Sequence, residues 1–410
     1  MKKILLLLGI VAGLQFQSRA QETKSDFGIR FQGFIKNDVF YNTRQTVSAR
    51  EGHFMLWPAP QSPDSRGDDV NAHHSFNILA IQSRLSGTIT GPDALGASTS
   101  GKIEGDFFAQ ANDNINLFRL RHAYLQLEWE NTRLLFGQYW NPFFIPACYP
   151  ATVSFNSGSP IQPFARNPQV RLAHTMGPFQ VIAAAVGQRD YTSRGPAGAT
   201  SEYLRNSGMP EFHLQAHVTS RRIAAGAGLA HKRIVPRTET QTGLKTDRAV
   251  SGLSAIAFAK LRLPGITIKM EAVRGQNNPD VLNISGYAVS SIEAATDYRN
   301  YTPMRNMSLW TDIHTNGDRF QAGLFAGYTE NLGTNESISD QEIIYGFGSN
   351  VAHLYRLSPR LVYNSGRLRF GLEGEYTSAT FGSEYNDHAV PVDTHTVENL
   401  RILFSSYFFF

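Results

Sequence analysis

Apolar and polar residues alternate with a period of two along almost the whole chain. The stretch FGIRFQGFIKNDVFY, residues 27–41, puts Phe27, Ile29, Phe31, Ile35, Val39 and Tyr41 on one face and Arg30, Gln32, Lys36 and Asp38 on the other. Successive side chains of a β-strand point to opposite faces, so this pattern predicts a strand with one apolar and one wet face. Because the pattern recurs in GKIEGDFFAQ, PGITIKMEAVRG, DRFQAGLFAGY and GRLRFGLEGEY, we expect an all-β protein.

Sixteen such strands can be placed end to end. They are predicted at 27–42, 75–90, 98–111, 117–130, 132–140, 168–176, 179–189, 210–219, 222–234, 248–262, 265–275, 304–315, 318–329, 350–364, 367–381 and 396–410. The connections between them are short and long in turn: 177–178 and 365–366 are tight turns, whereas 43–74 and 141–167 are long. This asymmetry is typical of an outer-membrane barrel, which has short periplasmic turns and long extracellular loops.

Strand length distinguishes this barrel from a soluble β-sandwich. Sandwich strands average about five or six residues, whereas a tilted strand needs about ten to cross a bilayer. A bilayer also leaves no partner for an unpaired strand edge, and closure of the sheet removes such edges. The sequence therefore predicts a 16-stranded antiparallel transmembrane β-barrel over residues 21–410.

The N-terminus predicts export. Lys2 and Lys3 precede an apolar run at residues 4–14, and small and polar residues lead to Ala20. This is the pattern of a secretory signal peptide, here residues 1–20, and the run is too short for a membrane helix of about 20 residues. Its removal lowers the net charge from +4 to +1, so the charge argues neither for nor against nucleic acid, and no nucleic-acid partner is expected.

The C-terminus, RILFSSYFFF, predicts the strand that closes the barrel. Leu400, Ile402, Phe404, Phe408 and Phe410 fall on one face, toward outer-membrane lipid. A terminal Phe on such a strand is similar to the signal that outer-membrane barrels present to their assembly machinery. The predicted location is thus the outer membrane of a Gram-negative bacterium, with that machinery as a partner through Phe410.

The polar face of the strands is predicted to line a channel, and residues in the lumen determine which solutes pass through it. The candidate selectivity residues are Arg84, Glu104, Asp106, Arg119, Arg121, Arg166 and Arg171. A hairpin turn at Asp113-Asn114 would put Asp106 opposite Arg121 and leave one arginine free to face the pore; a purely structural ion pair is the alternative. After Ala123 the apolar positions shift parity, which predicts a bulge or a wall facing another subunit.

Loop 141–167 is the predicted constriction. A connection this long without regular structure is usually functional or disordered. It follows the fifth strand, where trimeric porins fold a loop into the pore, and its one charged residue is Arg166. A loop without carboxylates, facing arginines on the wall, favours anions. The single cysteine, Cys148, lies on it and excludes an internal disulfide framework.

Loop 43–74 contains several side chains of metal-ligand type, namely His53, Asp64, Asp68, Asp69, His73 and His74. Their spacing matches no closed metal site, so they are interpreted as solvated loop residues, and neither a metal nor another cofactor is expected.

Four stretches carry a family resemblance: SRLSG (83–87), KIEGDFF (102–108), FRLRHAYLQL (118–127) and LLFGQYWNPF (134–143). They closely resemble the DcaP-like trimeric porins, and GFIKND (33–38) is similar to that family's first strand. The resemblance implies a 16-stranded homotrimeric channel with an arginine-rich lumen for small, mostly anionic solutes such as dicarboxylates. It implies that Glu104, Asp106, Arg119 and Arg121 line the channel and that the loop after Trp140 folds inward.

The chain differs from that family in one respect: residues 21–26 alone precede the first strand, where family members often have a periplasmic coiled coil. A trimer is therefore expected to form through barrel walls.

Two other functions remain open. An outer-membrane lipase or protease would need a nucleophile and a base; strand residues His122, His174, His213 and His217 could serve, but no soluble catalytic motif is present. We therefore expect no enzyme. The other alternative is a structural or adhesin barrel whose lumen is plugged by loop 141–167.

Overall fold

The structure, a computed structural model, describes residues 27–109 and 112–410; the predicted signal peptide lies outside them. Sixteen antiparallel strands form one closed barrel, as predicted. In chain order they are β1 Gly28–Asn42, β2 Ser75–Leu79 continued by Arg84–Ala94, β3 Ala97–Asp106, β4 Arg119–Glu128, β5 Thr132–Trp140, β6 Arg166–Met176, β7 Phe179–Val186, β8 Glu211–Thr219, β9 Ile223–Ile234, β10 Val250–Arg262, β11 Ile266–Gln276, β12 Tyr298–Thr315, β13 Phe320–Thr334, β14 Val351–Ser365, β15 Leu368–Tyr385 and β16 Pro391–Phe409.

All sixteen predicted strands overlap an observed one, but some ends differ. β3 ends at Asp106 instead of 111, because the chain turns into the loop after that residue. β12 begins at Tyr298 instead of 304, and β16 begins at Pro391 instead of 396. β12 and β16 continue as hairpins beyond the apolar band. Apolar and polar residues no longer alternate there, so these strand ends could not be predicted from the pattern.

The connections contain further short elements. Loop strands lie at Thr46–Ala49, Phe54–Pro58, Arg194–Gly195, Gly198–Ala199, Ser285–Glu293 and Ile344–Phe347, a helix at Glu202–Asn206, and 3-10 turns at Asn112–Asn114 and Pro279–Val281. Within the described ranges no helix is long and apolar enough to cross a membrane.

The two faces of the strands divide as the alternation predicts. Ile29, Phe31 and Ile35 on β1 are more than half exposed on the outside, whereas Lys36 and Asp38 are 1% exposed on the inside. On the last strand, Ile402, Phe404 and Phe408 are all exposed. The barrel thus has an apolar outer band and a polar lining, which suits a wall between lipid and water.

The barrel closes between its first and last strands. β1 pairs with β16 from Phe34 opposite Phe409 to Asn42 opposite Arg401, and also pairs with β2. Past the end of β16, the backbone of Phe410 exchanges two hydrogen bonds of 3.1 Å with Gly33. The C-terminal residue is therefore part of the seam.

We predict that Gly33→Ala destabilises this seam. A Cβ at Gly33 would lie 2.2 Å from the carbonyl oxygen of Arg84 and 2.8 Å from the Phe410 ring, so backbone must move. Overpacking of this kind costs about 1 to 3 kcal/mol. Less folded barrel is expected by heat-modifiability on gels and a lower melting temperature by circular dichroism. Gly265→Ala, at a turn with nothing within 4 Å, is the control, and equal behaviour of the two variants would contradict the prediction.

A β-bulge in β4 explains the shift in apolar parity. Pairing with β3 changes register between Glu104 and Gly105, and Arg121 and His122 are both buried inside the barrel. The predicted bulge is therefore confirmed. Asp106 lies opposite Arg119, however, so the expected register, with Asp106 directly opposite Arg121, is wrong. The extra residue of the bulge shifts the pairing of β4 with β3 by one residue, so inward-facing and outward-facing positions exchange on either side of it.

Candidate functional site

Loop 141–165 crosses the inside of the barrel and is held there by charged wall residues. The backbone N–H groups of Val153 and Ser154 donate to the Glu373 carboxylate on β15, at 2.6 and 3.0 Å. The N–H of Ala151 donates to Asp312 on β12 at 3.2 Å. These carboxylates satisfy loop donors that would otherwise be buried without a partner.

Cationic wall residues bind the carbonyl groups of the same loop. Lys36 on β1 donates to Val153 O at 3.3 Å, Lys269 on β11 donates to Tyr149 O at 2.9 Å, and Arg356 on β14 donates to Ser159 O at 2.6 Å. Because these anchors come from separate parts of the wall, the loop lies across the lumen.

Part of loop 43–74 also lies inside. Phe54 to Trp57 are buried, and His53, 4% exposed, contacts the Asp38 carboxylate with its Nε2 at 2.6 Å. The interpretation of His53 as solvated is therefore wrong; Asp68, His73 and His74 are exposed, as expected. In the described part of the chain no three His, Cys, Asp or Glu side chains are grouped to hold a metal.

Aromatic side chains fill the space between the two loops. Trp140 stacks on Phe144 with ring centroids 3.8 Å apart, and Phe164 contacts Trp140, Phe155 and Phe54 at 5.5 to 5.6 Å. This core continues to Phe108, which is fully buried. This aromatic core could not be predicted from the sequence, because alternation describes strands and not the path of loops.

Next to this core lies a group of charged residues, here called the cationic cluster. It comprises six cations, Arg50, Arg84, Lys102, Arg119, Arg121 and Arg166, and three carboxylates, Glu104, Asp106 and Asp190. Five of the seven predicted selectivity residues are members from β2, β3 and β4, and Arg166 opens β6. The seventh, Arg171, lies lower on β6, over the Tyr139 ring at 5.7 Å.

Ion pairs hold the cluster together. Arg121 contacts Glu104 with Nε at 2.9 Å and Asp106 with Nη1 at 3.1 Å, and Arg119 contacts Asp106 with Nε at 3.0 Å. The expectation that one of these two arginines is unpaired is therefore wrong. The bulge explains why: it turns Arg121 into the lumen, where one carboxylate, that of Asp106, accepts from both.

Asp190 and Arg50 were missed from the sequence. Asp190, on the loop after β7, lies 2.7 Å from Arg166 Nη2 and 3.5 Å from Arg119 Nη1. Burial alone would raise the pKa of Asp190, but the charges of Arg166, Arg119 and Arg50 lower it overall. It is therefore a buried counter-ion that ties an extracellular loop to the arginines. The one available signal was its position as the single acid in QRDYTSR.

Several guanidinium N–H groups in the cluster have no acceptor. Among the described residues, buried Nη1 of Arg50, Nε of Arg84, Nη2 of Arg119 and both Nε and Nη1 of Arg166 lack a hydrogen-bond partner. Buried donors are normally satisfied, by protein or by solvent and solutes. With six cations to three carboxylates, the cluster combines excess positive charge with free donors, which suits an anion.

A cavity of about 410 Å³ adjoins the cluster. Its wall side includes Arg84, Lys102, Glu104, Arg121 and His122, and its loop side includes Phe144, Tyr149, Val153 and Phe155. Charged groups thus face an aromatic surface across a space large enough for a small organic solute.

Cys148 is fully buried on the loop, where its Sγ donates to Ala259 O at 3.4 Å. Burial, reinforced by the nearby Glu271, raises the pKa of the Cys148 thiol to about 12.

We predict that this thiol is inert in the folded barrel. At pH 8 about one molecule in ten thousand carries a thiolate at that pKa, compared with about a quarter for an ordinary thiol of pKa 8.5. N-ethylmaleimide at pH 8 should label denatured protein fully and the folded barrel hardly at all, measured by intact mass. Rapid labelling of folded protein, with unchanged circular dichroism, would contradict the buried placement of the loop.

The fold is shared with outer-membrane channels. The outer membrane channel DcaP of Acinetobacter baumannii is 16% identical, with a TM-score of 0.69 over 96% of this chain and 99% of that one. A trimer form of OmpT, an outer membrane protein of Vibrio cholerae, is 10% identical, with a TM-score of 0.54 over 94% and 99%. An anion-selective porin from Comamonas acidovorans is 10% identical, with a TM-score of 0.54 over 94% of this chain and 100% of that one. The barrel has a porin fold.

The predicted resemblance to DcaP-like porins is thus confirmed at the level of the fold. No family model and no curated protein matches the sequence. The stretches that carry the resemblance, within 83–143, form β2 to β5 of the porin fold and contribute most of the cationic cluster.

Proposed function

We propose that the chain is an outer-membrane porin through which small hydrophilic solutes diffuse, with a preference for anions such as dicarboxylates. The observation that carries the proposal is the cationic cluster beside the cavity, with six cations, three carboxylates and unpartnered N–H donors. Charges of one sign in a low-dielectric cleft concentrate solutes of the opposite sign. Loop 141–167 is the constriction in this proposal.

The carboxylates of the opposite wall support the same sign of selectivity. Glu373, Glu375 and Asp312 accept hydrogen bonds from the loop, so their charge is used to anchor it. The arginines of the cluster keep free donors. The fold shared with an anion-selective porin agrees with this proposal.

The remaining partners follow from the fold. Export by the signal peptide, cleaved near Ala20, would deliver the chain to the barrel assembly machinery, which would recognise the strand ending at Phe410. Three copies would associate through barrel walls, as the trimer form of a protein of the same fold suggests. No catalytic step is part of the proposal.

A plugged barrel is the second candidate, because aromatic residues of two loops pack together inside the lumen. The deciding experiment is the reversal potential of the purified protein in a planar bilayer under a KCl gradient. Anion-selective conductance in steps of three supports the porin. A cation-selective channel would refute the role of the arginines, and no conductance would favour the plugged barrel.

A further inference from the structure

The outer wall of strands β8 to β13 has a groove lined by small residues. Two adjoining depressions, of about 720 and 670 Å³, share Ala257 and Ala272. Their other alanines are Ala216, Ala227, Ala255, Ala259 and Ala326, and Leu214, Leu229, Met270 and Leu309 form the raised edges. The outward positions of β1 and β16 carry Phe, Ile and Leu instead. The groove is thus a concave apolar surface in an otherwise bulky band.

Above the groove lies a basic patch made of Arg233 on β9 and of Lys245 and Arg248 on the loop between β9 and β10. It surrounds a depression of about 630 Å³ that also includes Asp247, Tyr298 and Asn300. Arg248 donates to the Asn300 side-chain oxygen at 3.1 Å and lies over the Tyr298 ring, and Arg233 donates to Ser207 O at 3.3 Å. Within 27–109 and 112–410, none of the three is in an ion pair.

The basic patch and the groove lie one above the other along the height of the wall. Arg233 lies ten residues beyond Ile223, which begins β9 at the periplasmic turn. At about 3.3 Å per residue and a tilt near 40°, that is about 25 Å, the height of the apolar band of such barrels. The basic patch therefore lies at the outer headgroup level. By the same measure Ala227, four residues beyond Ile223, and Ala257, five residues before Arg262, lie about 10 and 13 Å up, so the groove is at mid-height in the band, where the acyl chains of the outer leaflet end. Arg274, exposed at the groove's edge, adds a further positive charge.

We propose that this wall binds an anionic amphiphile of the outer leaflet, with acyl chains in the alanine groove and phosphate groups on Arg233, Lys245 and Arg248. Phosphate groups supply anionic partners for three cations that have no ion pair among the described residues, and a flexible chain fills a concave apolar surface. A second copy of the chain suits the site less, because its apolar wall would bring no anion to the patch. The proposal needs the outer-membrane location proposed above but not channel activity.

The test is native mass spectrometry of the full-length purified protein titrated with diphosphoryl lipid A. Its comparators are the dephosphorylated lipid and phosphatidylethanolamine. Arg233→Ala combined with Arg248→Ala should weaken diphosphoryl lipid A binding about tenfold or more, since a basic residue near an anionic surface contributes about 1 kcal/mol. Arg319→Ala with Arg369→Ala, which removes two cations at the periplasmic end, is the matched control and should bind as the wild type does.

A groove variant tests the acyl part separately. Ala257→Trp should weaken binding of diphosphoryl lipid A while leaving the reversal potential unchanged, which separates this proposal from the channel. Equal binding by the Arg233/Arg248 variant and its control would overturn the proposal, as would equal affinity for the phosphorylated and dephosphorylated lipids. Loss of oligomers in Ala257→Trp without any bound lipid in the wild type would identify a second copy as the occupant.

Discussion

Replacement of Arg119 and Arg121 by Ala is expected to lower the chloride-to-potassium permeability ratio about fivefold or more. A unit charge about 4 Å from a permeating ion contributes about 1 kcal/mol even in a water-like dielectric, which is about fivefold in occupancy. The double substitution leaves four cations against the three carboxylates of the cluster. The ratio is measured from the reversal potential in a KCl gradient.

Three further variants make this first prediction specific. Arg119→Lys with Arg121→Lys retains the charge and should retain most of the selectivity, whereas Glu104→Gln with Asp106→Asn removes negative charge and should increase it. Arg319→Ala with Arg369→Ala removes two exposed cations near Tyr363 and Asn364, away from the cluster, and should have no effect. An unchanged ratio in the Arg119/Arg121 double variant would show that these arginines brace the wall without selecting ions.

Replacement of Glu373 by Ala is expected to release the loop and raise the single-channel conductance. Glu373 is fully buried and accepts the N–H groups of Val153 and Ser154. Loss of two charge-assisted hydrogen bonds, worth about 1.5 to 3 kcal/mol each, would leave these donors buried without acceptors. Movement of the loop toward solvent then lets water accept from these N–H groups, so the displaced loop becomes more stable than the buried one. We expect the single-channel conductance to rise about twofold or more.

Glu373→Gln and Glu384→Ala complete this second test. Gln keeps one acceptor oxygen, so a smaller increase is expected, while Glu384 is exposed at the extracellular end of β15 and its loss should change nothing. Conductance is measured in planar bilayers, and the folded fraction is checked by heat-modifiability. A folded Glu373→Ala protein that conducts as the wild type does would show that this anchor does not control the opening.

Much of the barrel could be predicted because lipid imposes a rule on every strand. Each residue of β1 that faces out had to be apolar and each that faces in could be polar, so Ile35 and Lys36 were assigned correctly from period two alone. The rule fails where the period breaks. The bulge beside Arg121 was detected from its parity, but its position was not. The register of Asp106 was wrong by two residues because the hairpin is centred one residue before the predicted turn at Asp113-Asn114.

The lumen could be predicted only in part, since loops obey no such rule. Arg84, Arg119 and Arg121 were found because they lie on strands. Arg50 and Asp190 were missed because they reach the cluster from two separate loops. The contacts of Arg50 there are with residues more than fifty positions away along the chain. The burial of His53 beside Asp38 likewise depends on a loop path that composition does not encode.

The unequal strand lengths give the mouth of the barrel a direction. β15 and β16 have 18 and 19 residues, whereas β7 and β8 have 8 and 9. At about 3.3 Å per residue and a tilt near 40°, β16 rises about 48 Å and β7 about 20 Å, against an apolar band of about 25 Å. The extracellular rim is therefore oblique. Small molecules that diffuse along the cell surface can reach the mouth over the low side, at β7 and β8, whereas the high side, at β15 and β16, blocks the approach of large bodies such as antibodies.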